Sequence, residues 1–254
     1  MPLDLITVPC LADNYAFILH NTETGETALV DAPEAGPIQA ALEQLGLTLD
    51  WILITHHHYD HIDGVEALRK PGTKVVGAAA DAKRLPNLDI AVKDGDTLTI
   101  CGETCHVHDV YGHTIGHIAF YLPSSTILCT ADSLMAWGCG RLFEGTPAQM
   151  WDAMQRLRQL PDDTIVCSGH EYTKANGTFA LTIEPDNADL VARMADVTAK
   201  RDQGLPTVPS LLSTEKATNP YLRADDPAVK AAIGMKDASD LDVFAEIRRR
   251  KDNF

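Results

Sequence analysis

Trp51-Ile52-Leu53-Ile54-Thr55-His56-His57-His58-Tyr59-Asp60-His61 runs from a short apolar strand straight into four histidines within six residues. Side chains alternate along extended backbone, so His56 and His58 project to one side and can reach one metal ion. Asp60 and His61 follow where the chain must turn, and can face a second ion nearby. Imidazole nitrogen and carboxylate oxygen are ligands of Zn, Fe or Mn. Three further positions repeat the placement of a polar residue where an apolar strand begins or ends. His113 lies in Gly112-His113-Thr114-Ile115-Gly116-His117, just before a strand; Asp132 follows a strand over 126–129; His170 follows a strand over 164–167. Loops at one rim of a sheet would gather them. A lone residue of this kind would be a turn or surface residue. The repetition points to a two-metal site.

The composition of all 254 residues narrows the function classes. Lys and Arg total 21 against 36 Asp and Glu, a formal charge of −15. So acidic a chain is a poor partner for nucleic acid or an anionic membrane. Hydrophobic residues make up 45%, enough for a real core. No apolar run approaches the ~20 residues of a membrane helix. Residues 1–10 place no Lys or Arg ahead of an apolar stretch, so no secretory signal is visible. Cys10, Cys101, Cys105, Cys129, Cys139 and Cys167 include no Cys-x-x-Cys pair. They are expected to be free thiols of a cytoplasmic protein. Cys101 and Cys105 have no second pair to complete a zinc ribbon, and are taken as strand or turn residues.

Patterning predicts strands over 3–8, 15–19, 27–30, 51–54, 74–76, 118–122, 126–129 and 164–167. Asp94-Gly95 predicts a hairpin between 90–92 and 97–100. Helices are expected after Gly36-Pro37, with Ile38, Ala41, Leu42 and Leu45 at helical spacing, and over 65–68. Thr146-Pro147-Ala148-Gln149 combines a capping box with Pro at the first helical position, ahead of Met150, Met154 and Leu157. Beyond about 173 the pattern turns helical, through Leu190, Val191, Met194 and Val197, and through Leu241, Phe244 and Ile247 after a cap at Ser239. Residues 204–220 read as a Pro-rich polar connection. The division is a strand-rich α/β domain over 1–173 and a helical domain over 174–254.

Thr-His-x-His-x-Asp-His, Gly-His-Thr-x-Gly-His, Ala131-Asp132-Ser133 and Gly169-His170-Glu171-Tyr172 resemble, in order and spacing, the metallo-β-lactamase superfamily. That resemblance implies an αββα sandwich of two mixed β-sheets flanked by helices. Other stretches are more discriminating. They are Leu11-Ala12-Asp13-Asn14-Tyr15, Gly138-Cys139-Gly140-Arg141-Leu142-Phe143-Glu144-Gly145-Thr146, His170-Glu171-Tyr172-Thr173 and Arg248-Arg249-Arg250-Lys251-Asp252-Asn253-Phe254. They resemble the hydroxyacylglutathione hydrolase (glyoxalase II) family nearly end to end.

Carried over position by position, the resemblance gives His56, His58 and His113 to a first metal and Asp60, His61 and His170 to a second, with Asp132 bridging. The cofactors implied are two divalent ions, Zn²⁺ first, with Fe or Mn admissible. His57, Tyr59 and His117 are not ligands in that pattern, although His117 would support one. His20, His106 and His108 are structural. The implied reaction is hydrolysis of S-(2-hydroxyacyl)glutathione thioesters, S-D-lactoylglutathione above all, in methylglyoxal detoxification. Two such ions, once bound, would make hydroxide available near neutral pH to attack the carbonyl. Asp60 and Asp132 orient it, and the thiolate leaves with little acid assistance. No Ser or Cys nucleophile is expected. Arg141, Phe143, Tyr172, Arg248 and Lys251 take the positions of substrate contacts. From composition alone, the basic tail would only favour a helix dipole. Some relatives carry Lys where Arg141 stands, and Tyr where Phe143 stands; the missing hydroxyl removes a hydrogen bond worth about 0.5–1.5 kcal/mol. The expected partner is the small-molecule thioester, with no nucleic acid or membrane, and the chain is expected to be a monomer. Rival chemistries on the same ligands are a mononuclear-iron persulfide dioxygenase, a lactone or β-lactam hydrolase, and a structural metal site.

Overall fold

The computed structural model describes residues 2–254 as two compact units. One runs to Asp109 and resumes at Thr114–Ala131; the other comprises Val110–His113 and Asp132–Phe254. The fold is α/β, with two sheets and flanking helices.

The first unit opens with β1 (Asp4–Cys10), β2 (Asn14–His20) and β3 (Thr27–Val30), an antiparallel meander. After α1 (Ala35–Leu45), strand β4 (Trp51–Leu53) joins β3 in parallel. The single-turn helices α2 (Tyr59–Ile62) and α3 (Val65–Leu68) follow, then β5 (Lys74–Ala78) and β6 (Ile90–Val92), each parallel to its predecessor. A mixed six-stranded sheet results. Strands β7 (Thr97–Ile100), β8 (Glu103–Asp109), β9 (Ile118–Leu122) and β10 (Ile127–Ala131) form an antiparallel run in the other sheet.

Most of β2 and all of β9 and β10 are buried on both faces. Both sheets are therefore covered on each side. One cover is α1 and α3, whose Ile38, Leu42, Val65 and Leu68 pack on Val8, Ala16, Ile18, Leu29, Ile52 and Val75. On the sheets' facing side, Leu3 N–H donates to Ser125 Oγ at 2.7 Å and Asn21 Nδ2 to Cys101 O at 2.7 Å.

The hairpin expected at Asp94-Gly95 is not formed. Strand β6 belongs to the first sheet and β7 to the second, so the turn carries the chain from one to the other. Gly95 does take the left-handed conformation, at φ 80°. The turn is tied to the end of β8, since Asp109 N–H donates to Asp94 Oδ1 and Gly95 N–H to Val107 O. Turn chemistry specifies a local reversal and is silent on which ladder each strand joins.

The second unit holds a two-residue hairpin, β11 (Leu134–Met135) and β12 (Gly138–Cys139), then α4 (Pro147–Leu157). The capping box at Thr146 and Gln149 is formed, and Met150, Met154 and Leu157 are buried as the pattern predicts. After β13 (Ile165–Ser168) come α5 (Thr173–Ile183), α6 (Ala188–Asp202), β14 (Ser210–Leu211), α7 (Leu212–Thr218), α8 (Pro227–Ala232) and α9 (Asp240–Asp252). Strand β14 and helix α7 lie inside the stretch expected to be connection. Ser239 caps α9 as expected, with Phe244 and Ile247 buried. All six cysteines are free and buried. Among the described residues no helix is long and apolar enough to cross a membrane.

Ile38 is fully buried under α1 and remote in sequence from every candidate ligand. Ile38→Ala is expected to lower unfolding stability by about 2–5 kcal/mol, measured by urea denaturation with an unchanged slope.

Candidate metal centre

Strand β4 delivers the first candidate ligands. Its last ladder bonds continue past the strand: Ile54 N–H donates to Val76 O and Ile118 N–H to Thr55 O. The backbone stays extended to His58, which opens α2 at φ −62°, ψ 143°. His56 and His58 therefore share one side, with His56 Nε2 and His58 Nδ1 3.1 Å apart. Two nitrogens on a tetrahedral ion with bonds of about 2.0–2.1 Å lie about 3.3 Å apart, so this pair is spaced to share a cation. His57 points the other way, onto Asp81 Oδ2 at 3.0 Å, and Asp81 is also held by Arg84. The one turn of α2 then brings His61 Nε2 within 3.8 Å of Asp60 Oδ2.

Asp60, His56 and His61 are each gripped from behind. Asn14 Nδ2 donates to both the backbone O and Oδ2 of Asp60, at 3.0 and 3.1 Å. His117 stacks on His56 with ring centroids 4.5 Å apart, the supporting place expected of it. Asp31 was not singled out in the sequence. Its Oδ2 lies 2.7 Å from His61 Nδ1 and accepts Thr55 Oγ1; its Oδ1 accepts Thr55 N–H. Thr55 Oγ1 in turn lies 3.0 Å from His56 Nδ1. One buried carboxylate thus orients two imidazoles, as outer-sphere carboxylates do for metal-binding histidines. Asp31 has φ 56°, a conformation that costs a non-glycine residue energy and marks a constrained site. The available signal was the shared one, a polar residue at the end of an apolar strand.

The second unit supplies the other candidates. Asp132 Oδ2 lies 3.3 Å from His113 Nε2 and 3.3 Å from His170 Nε2. A single oxygen equidistant from two imidazoles has the form of a bridging ligand. All three residues are buried. His113 Nδ1 is committed to Arg141 O at 2.8 Å, which leaves Nε2 as the ligand atom. Gly140 has no room for a side chain, because a Cβ there would run into Asp132 O and His113 Nδ1.

The candidate substrate contacts stand around this segment. Phe143 meets the His113 ring edge-on at 5.2 Å, and Tyr172 stacks on His170 at 4.6 Å. The Arg141 side chain is largely exposed, with Nε 3.8 Å from Asp252. The basic end of α9 divides by helical face. Arg249 and Arg250 both pair with Glu246, and their hydrogen bonds push its carboxyl down to about 2. Arg248 and Lys251, three apart, share another face. Arg248 is buried, donating to Cys139 O at 3.0 Å and Asp252 at 2.8 Å. Lys251 donates to Ala175 O and lies over the Phe179 and Phe254 rings. Burial, and then the Arg248 charge, lower its pKa. The Cys139 thiol is pushed up to about 11 by burial, against the pull of Arg248, so it is no nucleophile at neutral pH.

Comparison with known proteins agrees with this geometry. The sequence model for the metallo-β-lactamase superfamily matches residues 13–170, and that for the hydroxyacylglutathione hydrolase C-terminus matches 171–254. A hydroxyacylglutathione hydrolase of Ruegeria pomeroyi is 58% identical over 257 residues, covering 100% of both chains. One from Jannaschia sp. is 60% identical and covers 98% of each. Among solved structures, the BLEG-1 B3 metallo-β-lactamase superposes with a TM-score of 0.66 at 22% identity, over 86% of this chain and 99% of that one.

Asp31→Ala removes the acceptor behind His61 and Thr55. Metal affinity, measured by competition with a chromogenic chelator, is expected to fall about 10–100-fold while the circular dichroism spectrum is retained.

Proposed function

This chain belongs to the hydroxyacylglutathione hydrolase family of the metallo-β-lactamase superfamily, and we propose that it hydrolyses S-(2-hydroxyacyl)glutathione thioesters. S-D-lactoylglutathione, giving glutathione and D-lactate, is the chief substrate. The observation that carries this reading is the segment from Asp132 to Arg141. One end bears a carboxylate oxygen set between two imidazoles, and the other is held by a buried arginine of the basic helix. Metal-ligand and glutathione-contact candidates thus occupy one short stretch.

We assign His56, His58 and His113 to one ion, Asp60, His61 and His170 to the other, and Asp132 to both. The thiolate-free donor set suits zinc, and also iron or manganese. When bound, such ions lower the pKa of a water and polarise the thioester carbonyl. The chain does the positioning. Asp60, fixed by Asn14, and Asp132 would accept hydrogen bonds from the attacking water and hold it over the face of the thioester carbonyl. Tyr172 and Phe143, beside His170 and His113, are candidate contacts for the substrate. Lys251, Arg248 and Arg141 provide the positive charge that draws the anionic glycine end of glutathione onto an otherwise acidic protein. The division into a catalytic domain over 1–173 and a substrate-binding domain over 174–254 is supported by family models that meet at 170 and 171. Six buried free thiols suit the cytoplasm, where we place a monomer acting in methylglyoxal detoxification.

The test is a spectrophotometric assay of S-D-lactoylglutathione cleavage, repeated after chelation and after each metal is restored. Activity should vanish on chelation and return with zinc. No cleavage with any metal, alongside oxygen uptake on glutathione persulfide, would sink the proposal. Asp132→Ala should abolish turnover with the fold intact. Lys251→Ala should raise KM about tenfold or more and leave kcat nearly unchanged, as expected for a charged contact equal in ground and transition states. Lys251 is cationic below its lowered pKa, so the contact is present at low pH and lost as pH rises. KM should therefore climb at a lower pH than an ordinary lysine would set, and Lys251→Arg should flatten that climb.

A further inference from the structure

The β11–β12 hairpin is too short to hold itself in place, with only two residue pairs, Leu134 with Cys139 and Met135 with Gly138. The polar backbone groups at its tip are taken one after another by side chains from the helical part of the same unit. Asn219 Nδ2 donates to Met135 O at 3.0 Å and to Gly138 O at 3.1 Å. Asn176 Nδ2 donates to Ala136 O at 3.1 Å. Trp137 N–H donates to Glu215 Oε2 at 2.8 Å. Trp137 itself sits at φ 56° and is fully buried among Ala180, Leu190 and Val197. Its indole N–H donates to Thr218 Oγ1 and its ring lies under the Arg193 guanidinium at 4.2 Å.

Glu215 is the centre of this anchor. It has no exposed surface. Its Oε1 accepts from Arg193 at 2.6 Å and Ser210 Oγ at 2.8 Å; its Oε2 accepts from Trp137 N–H and, at 3.2 Å, from Asn219. Four donors converge on one carboxylate, two on each oxygen. A helix of the sequence Leu-Ser-Thr-Glu-Lys-Ala-Thr gains nothing in stability from burying that charge unless the donors are fixed. What the arrangement secures is the location of the hairpin. At the hairpin's open end, Gly140 N–H donates to Ser133 O, Cys139 O accepts from Arg248, and Arg141 O holds His113.

We propose that Glu215 is the positioning residue for both the metal-ligand and the glutathione edges of the site. By fixing the tip of the hairpin it sets Asp132 at one end and Cys139–Arg141 at the other. This rests on the function proposed above, and it adds a residue that touches neither metal nor substrate.

Glu215→Gln is nearly isosteric and diagnostic. Whichever way the amide turns, its NH₂ faces a group that cannot accept a hydrogen bond: Arg193 at one position, Trp137 N–H and the Asn219 amide NH₂ at the other. Zinc bound per chain after dialysis against a fixed chelator should fall. A shift on the scale of 1 Å should lower kcat at least about tenfold. KM should rise severalfold in the same variant, because both edges move together. Adding Arg193→Met removes the one obligate donor at Oε1, so the amide can turn its NH₂ to the Ser210 hydroxyl and accept Trp137 N–H and Asn219 with its oxygen. The double variant should recover zinc content and kcat/KM towards the level of Arg193→Met alone, which itself loses the Thr218 bond and the contact with the Trp137 ring. A Glu215→Gln protein with native zinc content, kcat and KM, measured well below its melting temperature, would show a merely structural role and overturn the proposal. So would a double variant no better than Glu215→Gln when Arg193→Met alone is close to native. If Glu215→Gln does not fold, Asn219→Ala keeps the carboxylate, frees the Met135 and Gly138 carbonyls, and carries the same expectations. Failure of the native protein to cleave the thioester would fall on the proposed function, while the zinc measurements still decide the role of Glu215.

Discussion

One carboxylate oxygen, Asp132 Oδ2, stands 3.3 Å from imidazole nitrogens on either side, and the segment around it is built to keep it there. Such a group works only if it cannot relax. A buried carboxylate that could swing would find a neutral partner or a proton. Gly140 therefore packs directly against the Asp132 backbone, and His113 is locked by the Arg141 carbonyl. Precision at this one atom accounts for the close packing of residues 132–141, where the hairpin, its glycine and its left-handed tryptophan are otherwise unfavourable choices.

The same logic governs the histidines on the other unit. An imidazole presents a defined lone pair only when its second nitrogen is committed. Asp31 and Thr55 do this for His61 and His56, and Asn14 does the equivalent for Asp60. The candidate metal ligands are thus the visible half of a larger set. The other half consists of residues whose partner is a candidate ligand, and it includes groups with no motif of their own.

Charge is used sparingly in the helical region. Of the four consecutive cations at 248–251, two share the single carboxylate of Glu246, one donates to the Cys139 carbonyl and one lies over aromatic rings. An acidic protein gains a local positive face in this way. Because Arg248 also braces the hairpin, the surface that would recognise glutathione and the segment that carries Asp132 are mechanically the same object.

From the sequence by itself came the element types along most of the chain, the capped α4 and α9, the candidate ligand residues and the likeness of the basic tail. Those features are local, depending on periodicity, on capping chemistry and on residue types at short spacing. Tertiary structure alone decided the rest. Asp94-Gly95 reads as a hairpin turn, yet it links two sheets, because ladder partners are chosen by burial of whole strands. Asp31 reads as the end of a strand, and its role exists only once β3 and β4 lie side by side. Glu215 falls in a stretch that reads as polar connection, and nothing near it in the chain announces that four donors will meet there. A side chain's chemistry is written at its own position, but its partners are set by which distant segments packing brings within 3 Å.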